Sequence, residues 1–198
     1  MGYSPKYYKR HFDVYRKWEK KIGADIVTRF NARSILDLGC GVGSYLEGAL
    51  EAGAETVSGI EFNWELAKTY IPESVSKFIK QGDVTIQVPP LYGSFDLTMS
   101  VEVAEHIDPK EDKVDAFIHN LVSTSHNIII LTAAPPGQKG TNHVNCRPRE
   151  FWIEKLTGFK HCQFVYKDDY VSTCKEAWSK FGTANWVLNN LMIFQKLG

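Results

Sequence analysis

Apolar residues along this chain gather in short runs closed by glycine or charge, and between the runs they recur every three or four positions. Ser34-Ile35-Leu36-Asp37-Leu38 is such a run, ended by glycines, and suits a strand buried on both faces. Val42 to Ala52 follows with Leu46, Ala49 and Leu50 at helical spacing. Thr56 to Glu61 reads as a second strand, Trp64 to Tyr70 as a second helix and Lys77 to Lys80 as a third, weaker strand. Phe95 to Ser100 is a fourth strand, followed by a helix from about Glu111 to Val122 and a strand over Asn127 to Thr132. Pro148 to Leu156 is helical, with proline in the first turn where its missing N–H costs nothing. Phe159 to Tyr166 and Leu191 to Lys196 supply the last two strands. Such alternation predicts an α/β fold whose right-handed crossovers build a parallel sheet with helices on both faces. Residues up to Phe30, with Tyr7, Tyr8, Phe12, Tyr15 and Trp18 among basic side chains, should form a helical cap across the sheet's ligand-bearing end.

Length and composition narrow this picture without changing it. The 198 residues suit a single domain, 1–30 as the cap and 31–198 as the α/β core. Hydrophobic residues at 43% and charged residues at 23% exclude a disordered or fibrous chain. Lys+Arg and Asp+Glu balance at 23 each, whereas a nucleic-acid binder is usually basic, so a nucleic-acid partner is not expected. Apolar runs such as Ile128–Ala134 fall far short of the ~20 residues that span a bilayer, and the charged N-terminus does not read as a signal peptide. Cys40, Cys146, Cys162 and Cys174 form no C-x-x-C pair, which fits a reduced, cytoplasmic protein. Charge is uneven: residues 1–21 hold seven Lys/Arg against Asp13 and Glu19, while 51–115 hold thirteen carboxylates against five lysines. Solvated faces explain this, as does an acidic cleft edge with a basic flank.

The richest chemistry begins at Leu36-Asp37-Leu38-Gly39-Cys40-Gly41-Val42-Gly43. Glycines joining a strand to a helix let backbone approach a ligand closely at the carboxyl edge of the sheet. The spacing is G-x-G-x-G, not the G-x-G-x-x-G that seats a pyrophosphate, and Asp37 suits a ligand carrying an ammonium group. Glu61, ending the second strand, can accept from ribose hydroxyls, and Asp83 of Gln81-Gly82-Asp83-Val84 from an exocyclic amine. An acidic residue at each of three successive strand ends resembles the class I S-adenosylmethionine-dependent methyltransferases, over roughly Ser34 to Gly198. The resemblance implies their Rossmann-like fold, a seven-stranded mostly parallel sheet with an antiparallel last strand. It also implies that Asp37, Gly39, Cys40, Gly41 and Gly43 hold the methionine part and Glu61 the ribose. Phe62, Asp83 and Val84 would then lie at the adenine, with Ser100 also among the cofactor contacts.

A second constellation follows the fourth strand, in Ser100-Val101-Glu102-Val103-Ala104-Glu105-His106. On a helical turn Glu102, Glu105 and His106 would share one face, and two converging carboxylates repel unless a cation or proton lies between them. His143, after the neighbouring fifth strand, can reach the same point. A mixed carboxylate and imidazole set suits Mg²⁺ or Mn²⁺, while imidazole alone would not exclude Zn²⁺ or Fe²⁺. E-x-x-E-H with a later histidine resembles the metal site of small-RNA 2′-O-methyltransferases, and its first part is similar to a motif that also appears in ubiquinone-pathway O-methyltransferases. Asn142-His143 with Pro148-Arg149-Glu150-Phe151-Trp152 is similar to both the small-RNA enzymes and sugar O-methyltransferases of glycan assembly. Two other readings stay open: His106 or His143 as a metal-free general base, and a cluster that only closes the turn.

The expected reaction is metal-assisted methylation of a sugar hydroxyl on a glycan, within a chain that can be one domain of a larger glycan-synthesis enzyme. Alternatives are a terminal RNA ribose, a small phenol or quinone precursor, and a cofactor-binding scaffold without activity. Trp152, Arg147 and Arg149 stand near the acceptor side by sequence, with core packing as the other reading for Trp152. His11, His119, His126 and His161 lack an evident convergent partner, and the segment Asp168 to Trp186 reads either as a packed excursion or as part of an acceptor pocket.

Overall fold

The computed structural model describes residues 4–86, 95–159 and 163–197. Its centre is a seven-stranded sheet of order β3-β2-β1-β4-β5-β7-β6. The strands are β1 (Ser34–Leu38), β2 (Thr56–Glu61), β3 (Ile79–Gln81), β4 (Phe95–Val101), β5 (Ser125–Thr132), β6 (Phe164–Tyr166) and β7 (Leu191–Lys196). β7 runs antiparallel to both β5 and β6, and all other pairs are parallel. This is the Rossmann-like sheet with a reversed last strand that the sequence predicts. Strand order reverses between β1 and β4, which start connections to opposite sides, and the crevice at their carboxyl ends is where such sheets bind ligands.

β1 shows how the pleat sorts its residues. Ile35 packs into one apolar cluster, while Leu36 and Leu38 pack into the other. Asp37, two residues from Ile35, therefore shares Ile35's face. That face is covered by the N-terminal helices α1 (Pro5–Arg10) and α2 (Arg16–Phe30), by α3 (Ser44–Glu51) and by α8 (Asp168–Ser179). The opposite face carries α6 (Glu111–Thr124) and α7 (Arg149–Thr157).

α2 and α3 cross at backbone contact. A Cβ on Gly23 would lie 2.0 Å from the Tyr45 carbonyl oxygen, and one on Gly48 would lie 2.0 Å from that of Lys20. Arg16 reinforces the crossing with a bidentate pair to Glu47 at 2.8 and 2.5 Å. Between α1 and α2 the chain takes one π-helical turn, His11–Tyr15. Such an insertion rotates the following face of a helix and is frequent at functional sites.

Several expectations need adjusting. The second helix, α4 (Trp64–Ala67), tightens to a 3-10 turn at Lys68–Tyr70, because Pro72 holds Ile71 extended. A short α5 (Glu73–Ser76) precedes β3. Of the strand expected over 159–166, Phe164–Tyr166 is observed, and residues 160–162 lie outside the described residues together with His161 and Cys162. Asp168–Trp186 contains α8, whose Val171, Cys174 and Trp178 follow a helical period into the core, and the start of α9 (Asn185–Asn190). No helix among the described residues is long and apolar enough to cross a membrane.

Candidate active site

A cavity of about 450 Å³ opens at the carboxyl ends of β1, β2 and β4, within the size range of small-molecule sites. Its floor is the glycine turn after β1, its roof is the N-terminal helical cap, and its far wall is the Glu102–His106 segment with the loop after β5. The N-terminal helices thus lie over the cavity at the carboxyl edge of the sheet.

The glycine turn is built for close approach. Gly39 has φ 86°, and a Cβ there would strike Val103 at 2.5 Å, so this glycine lets the Glu102 segment pack on the turn. Gly41 has φ 56° with open space where a Cβ would be, and it faces the cavity. Its N–H donates to Glu61 Oε2 at 2.9 Å. Glu61 Oε1 accepts from the Tyr8 hydroxyl at 2.9 Å and from the Asn63 N–H at 2.8 Å. These bonds lower the Glu61 acid, but burial outweighs them and leaves it raised. Asp37 is 1% exposed, and its Oδ2 has no hydrogen-bond partner. Burial, with Glu19 and Glu61 nearby, pushes its acid well above the ordinary carboxylate range. A ligand bearing positive charge would relieve that situation.

The expected cofactor residues divide by position. Asp37, Gly39, Cys40, Gly41 and Glu61 line the cavity, whereas Gly43, Phe62, Asp83, Val84 and Ser100 are not in its wall. Gly43 faces Ile79 and Val75, and Phe62 points outward at 58% exposure. Asp83 Oδ1 accepts from the backbone and hydroxyl of Thr85, Val84 packs in the core, and the Ser100 hydroxyl donates to the Leu38 carbonyl.

At the far wall, ligand atoms of Glu105, His106 and His143 lie within 4.8 Å of one another. Glu105 is fully buried and neither carboxylate oxygen makes a well-formed hydrogen bond. Burial, and then the Glu102 carboxylate, push its acid up to about 8. His106 Nδ1 lies 3.0 Å from the Asn142 carbonyl and His143 Nδ1 3.1 Å from the Gln138 carbonyl. A carbonyl only accepts, so in the neutral rings each Nδ1 carries the proton and each Nε2 keeps its lone pair. His143 Nε2 stands 3.9 Å from Glu105 Oε1. Burial holds His106 below its ordinary pKa, which favours the neutral ring.

Glu102 departs from the shared helical face expected of it. Its φ is 55°, and the helical turn begins only at Ala104, as a 3-10 segment to His106. Its N–H donates to Thr132 Oγ1, and its carboxylate accepts from Asn190 at 3.0 Å and Gln138 at 3.5 Å. Three of the four expected metal ligands therefore converge, and Glu102 stands beside them, held by two amides.

Three further residues shape this wall. Gly140 packs on the His143 ring so tightly that a Cβ would lie 2.0 Å from Nε2. We therefore expect Gly140→Ala to displace the imidazole and lower turnover, with cofactor affinity unchanged in calorimetry. Asn142 takes a left-handed φ of 61°, which presents its carbonyl to His106. The N–H groups of Val144 and Asn145 both donate to the Glu105 carbonyl at 2.9 Å and tie the loop to the turn.

Trp152 is fully buried in the core, so it is not an acceptor platform. Arg149 is consumed by the Leu191 and Asn189 carbonyls, and Arg147 by Asn145. His119 packs edge-on to Phe159, away from the cavity, and His126 is exposed. His11, in contrast, lines the cavity and bonds Glu19 at 3.2 Å, correcting the expectation that it lacks a partner. Trp186, 43% exposed, also lines the cavity.

Comparison with known proteins bears on the fold and the enzyme class. Residues 36–122 match the model of a methyltransferase domain family, while no curated protein sequence matches the chain. The methyltransferase domain of bacterial CtHen1 is 21% identical, covering 91% of this chain and 98% of that one with a TM-score of 0.60. The magnesium protoporphyrin IX methyltransferase of Synechocystis PCC 6803, with bound S-adenosylhomocysteine, is 22% identical over 77% of this chain and 74% of that one, TM-score 0.57. The plantazolicin methyltransferase BpumL is 14% identical over 98% and 89%, TM-score 0.65. These structural likenesses establish the fold. The family match over β1 to α6, at the sheet edge that carries the glycine turn and its cavity, makes the chain an S-adenosylmethionine-dependent methyltransferase.

Proposed function

We propose that this enzyme transfers the methyl group to a sugar hydroxyl with the help of a divalent cation held by Glu105, His106 and His143. The observation that carries this reading is the pairing of two histidines, both with Nδ1 on a backbone carbonyl, with a buried carboxylate that has no well-formed hydrogen bond. Ligand atoms about 2 Å from one ion sit roughly 3 Å apart, so the observed 4.8 Å spread needs only small side-chain rotations. Two imidazoles with one carboxylate favour Mn²⁺ over Mg²⁺. Such a cation, when bound, polarises a ligated hydroxyl and lowers its pKa, since a sugar hydroxyl is otherwise a weak nucleophile. The chain's own part is positional: Gln138 and Asn142 fix the two rings, Asn190 and Gln138 hold Glu102, and the cap covers the cavity. Asp37 and Glu61 would hold the cofactor at the other end of the same cavity. A sugar with adjacent hydroxyls can offer two oxygens to one ion, and the exposed Trp186 supplies an aromatic face of the kind that stacks on sugars.

A second reading, a terminal RNA ribose, is favoured by Arg10 and Lys139 in the cavity wall, where they could meet a phosphate. The test is a labelled-methyl screen of oligosaccharides, a short RNA and catechols, each with Mn²⁺ and with EDTA. Transfer to a sugar that EDTA abolishes is the expected result. Labelling of the RNA 3′ end alone would move the acceptor to the second reading. Full transfer in EDTA, lost in His106→Ala, would replace the metal by a histidine base.

A further inference from the structure

The cap brings into the cavity a carboxylate that the glycine turn does not supply. Glu19 sits on the buried side of α2 with Trp18, Ile22 and Ile26 and is 4% exposed. An acidic side chain is rarely so buried without a partner of opposite charge. Glu19 and Asp37 line the same cavity, and Asp37 lies on the sheet face that α2 covers. Of the cations on α2, Arg16 pairs with Glu47 and Lys20 with Glu51 and Glu47, and Glu19 itself meets His11 at 3.2 Å. Glu61 is supplied with donors from Tyr8, Gly41 and Asn63. Asp37 Oδ2 has none. Two buried carboxylates facing one cavity repel unless a cation enters between them. The cofactor carries an ammonium group on its amino-acid end.

We propose that Glu19 and Asp37 together seat that ammonium, with Glu19 as a cofactor-binding residue contributed by the cap and His11 as the residue that positions it. His11 is itself held between aromatic rings, 4.4 Å from Tyr7 and 4.9 Å from Tyr15 between centroids, and bonds Glu19 through Nδ1. The π-helical turn that starts at His11 lies between it and Glu19, so the register of the cap decides whether the pair meets. This inference rests on the enzyme class and not on the metal.

The test compares two ligands in titration calorimetry, S-adenosylhomocysteine and 5′-methylthioadenosine. The second keeps the nucleoside and sulfur but lacks the amino acid. Glu19→Gln should weaken S-adenosylhomocysteine at least about tenfold, the lower end for a hydrogen bond to a charged group, and leave methylthioadenosine unchanged. Equal weakening of both ligands, or of neither, would overturn the proposal. If Glu19→Gln shows no cooperative thermal transition, His11→Phe at its half-buried position serves instead. It should weaken S-adenosylhomocysteine alone, by a few fold, and an equal or absent effect on the two ligands would overturn the proposal there as well.

Discussion

Glu105→Gln is expected to lower methyl transfer at least about 10²-fold, the lower end for loss of a positioned catalytic group, while calorimetry shows unchanged S-adenosylmethionine affinity. The substitution keeps the shape of a fully buried side chain and removes only its ability to carry charge. Stability should respond with the opposite sign. The Glu105 acid titrates near 8 in the fold but near 4.5 in the unfolded chain. Between those values the folded protein holds a proton that the unfolded chain has lost, so stability is full below about pH 4.5 and declines as pH rises through 8. Glutamine cannot lose that proton. Thermal unfolding of the metal-free protein should therefore fall from pH 6 to pH 9 in the native chain, and Glu105→Gln should flatten that part of the profile. A site that loses activity while its apo form gains stability at alkaline pH has a carboxylate held for function against a folding cost. Equal slopes in both proteins would place the Glu105 acid elsewhere.

Gly48→Ala should destabilise the fold by about 3 kcal/mol or more, at the upper end of the usual overpacking range. In an exposed helix the same change would stabilise by up to ~1 kcal/mol, so the sign itself is informative. Here the new methyl group would lie 2.0 Å from the Lys20 carbonyl oxygen and 2.6 Å from its carbon, and backbone cannot swing aside as a flexible side chain can. α2 and α3 would have to separate, loosening Tyr45, Ile22 and Trp18 and lifting the roof from the cavity. A loss of roughly 6–12 °C in Tm is expected for a chain of this size, with S-adenosylhomocysteine affinity reduced beyond what the lost stability explains. An unchanged or higher Tm would show that the helices do not cross at backbone contact.

The parts of this molecule that were legible in the sequence are those written in local pattern. β1, β2, β4, β5 and β7 each carry a short apolar run or alternation bounded by glycine or charge, and the glycine turn lies where φ is positive at Gly39, Gly41 and Gly43. Asp37, Glu61, Glu105, His106 and His143 were visible because strand ends bring side chains to one edge of a parallel sheet. What escaped depends on contacts between distant segments. Glu102 looks like a helical neighbour of Glu105 at i+3 spacing, but the left-handed backbone at Glu102 delays the turn to Ala104. Asn190 and Gln138 hold Glu102 across 88 and 36 positions of sequence, and no local rule links them. Glu19 did leave a signal, an acid on the apolar stripe of its helix, though nothing in the sequence says which cavity that stripe faces. Trp152 kept two readings open for the converse reason: it is the fourth residue of α7, a polar-looking helix, yet is wholly buried in the core.

The claim that Glu105, His106 and His143 form one divalent-cation site is tested most directly by titrating Mn²⁺ into the protein with S-adenosylhomocysteine bound and following free Mn²⁺ by electron paramagnetic resonance. One ion should be taken up per chain, with uptake lost in His143→Ala while that variant still binds S-adenosylhomocysteine. Absence of uptake by the native protein in the presence of an accepted sugar, or equal uptake by His143→Ala, would contradict it.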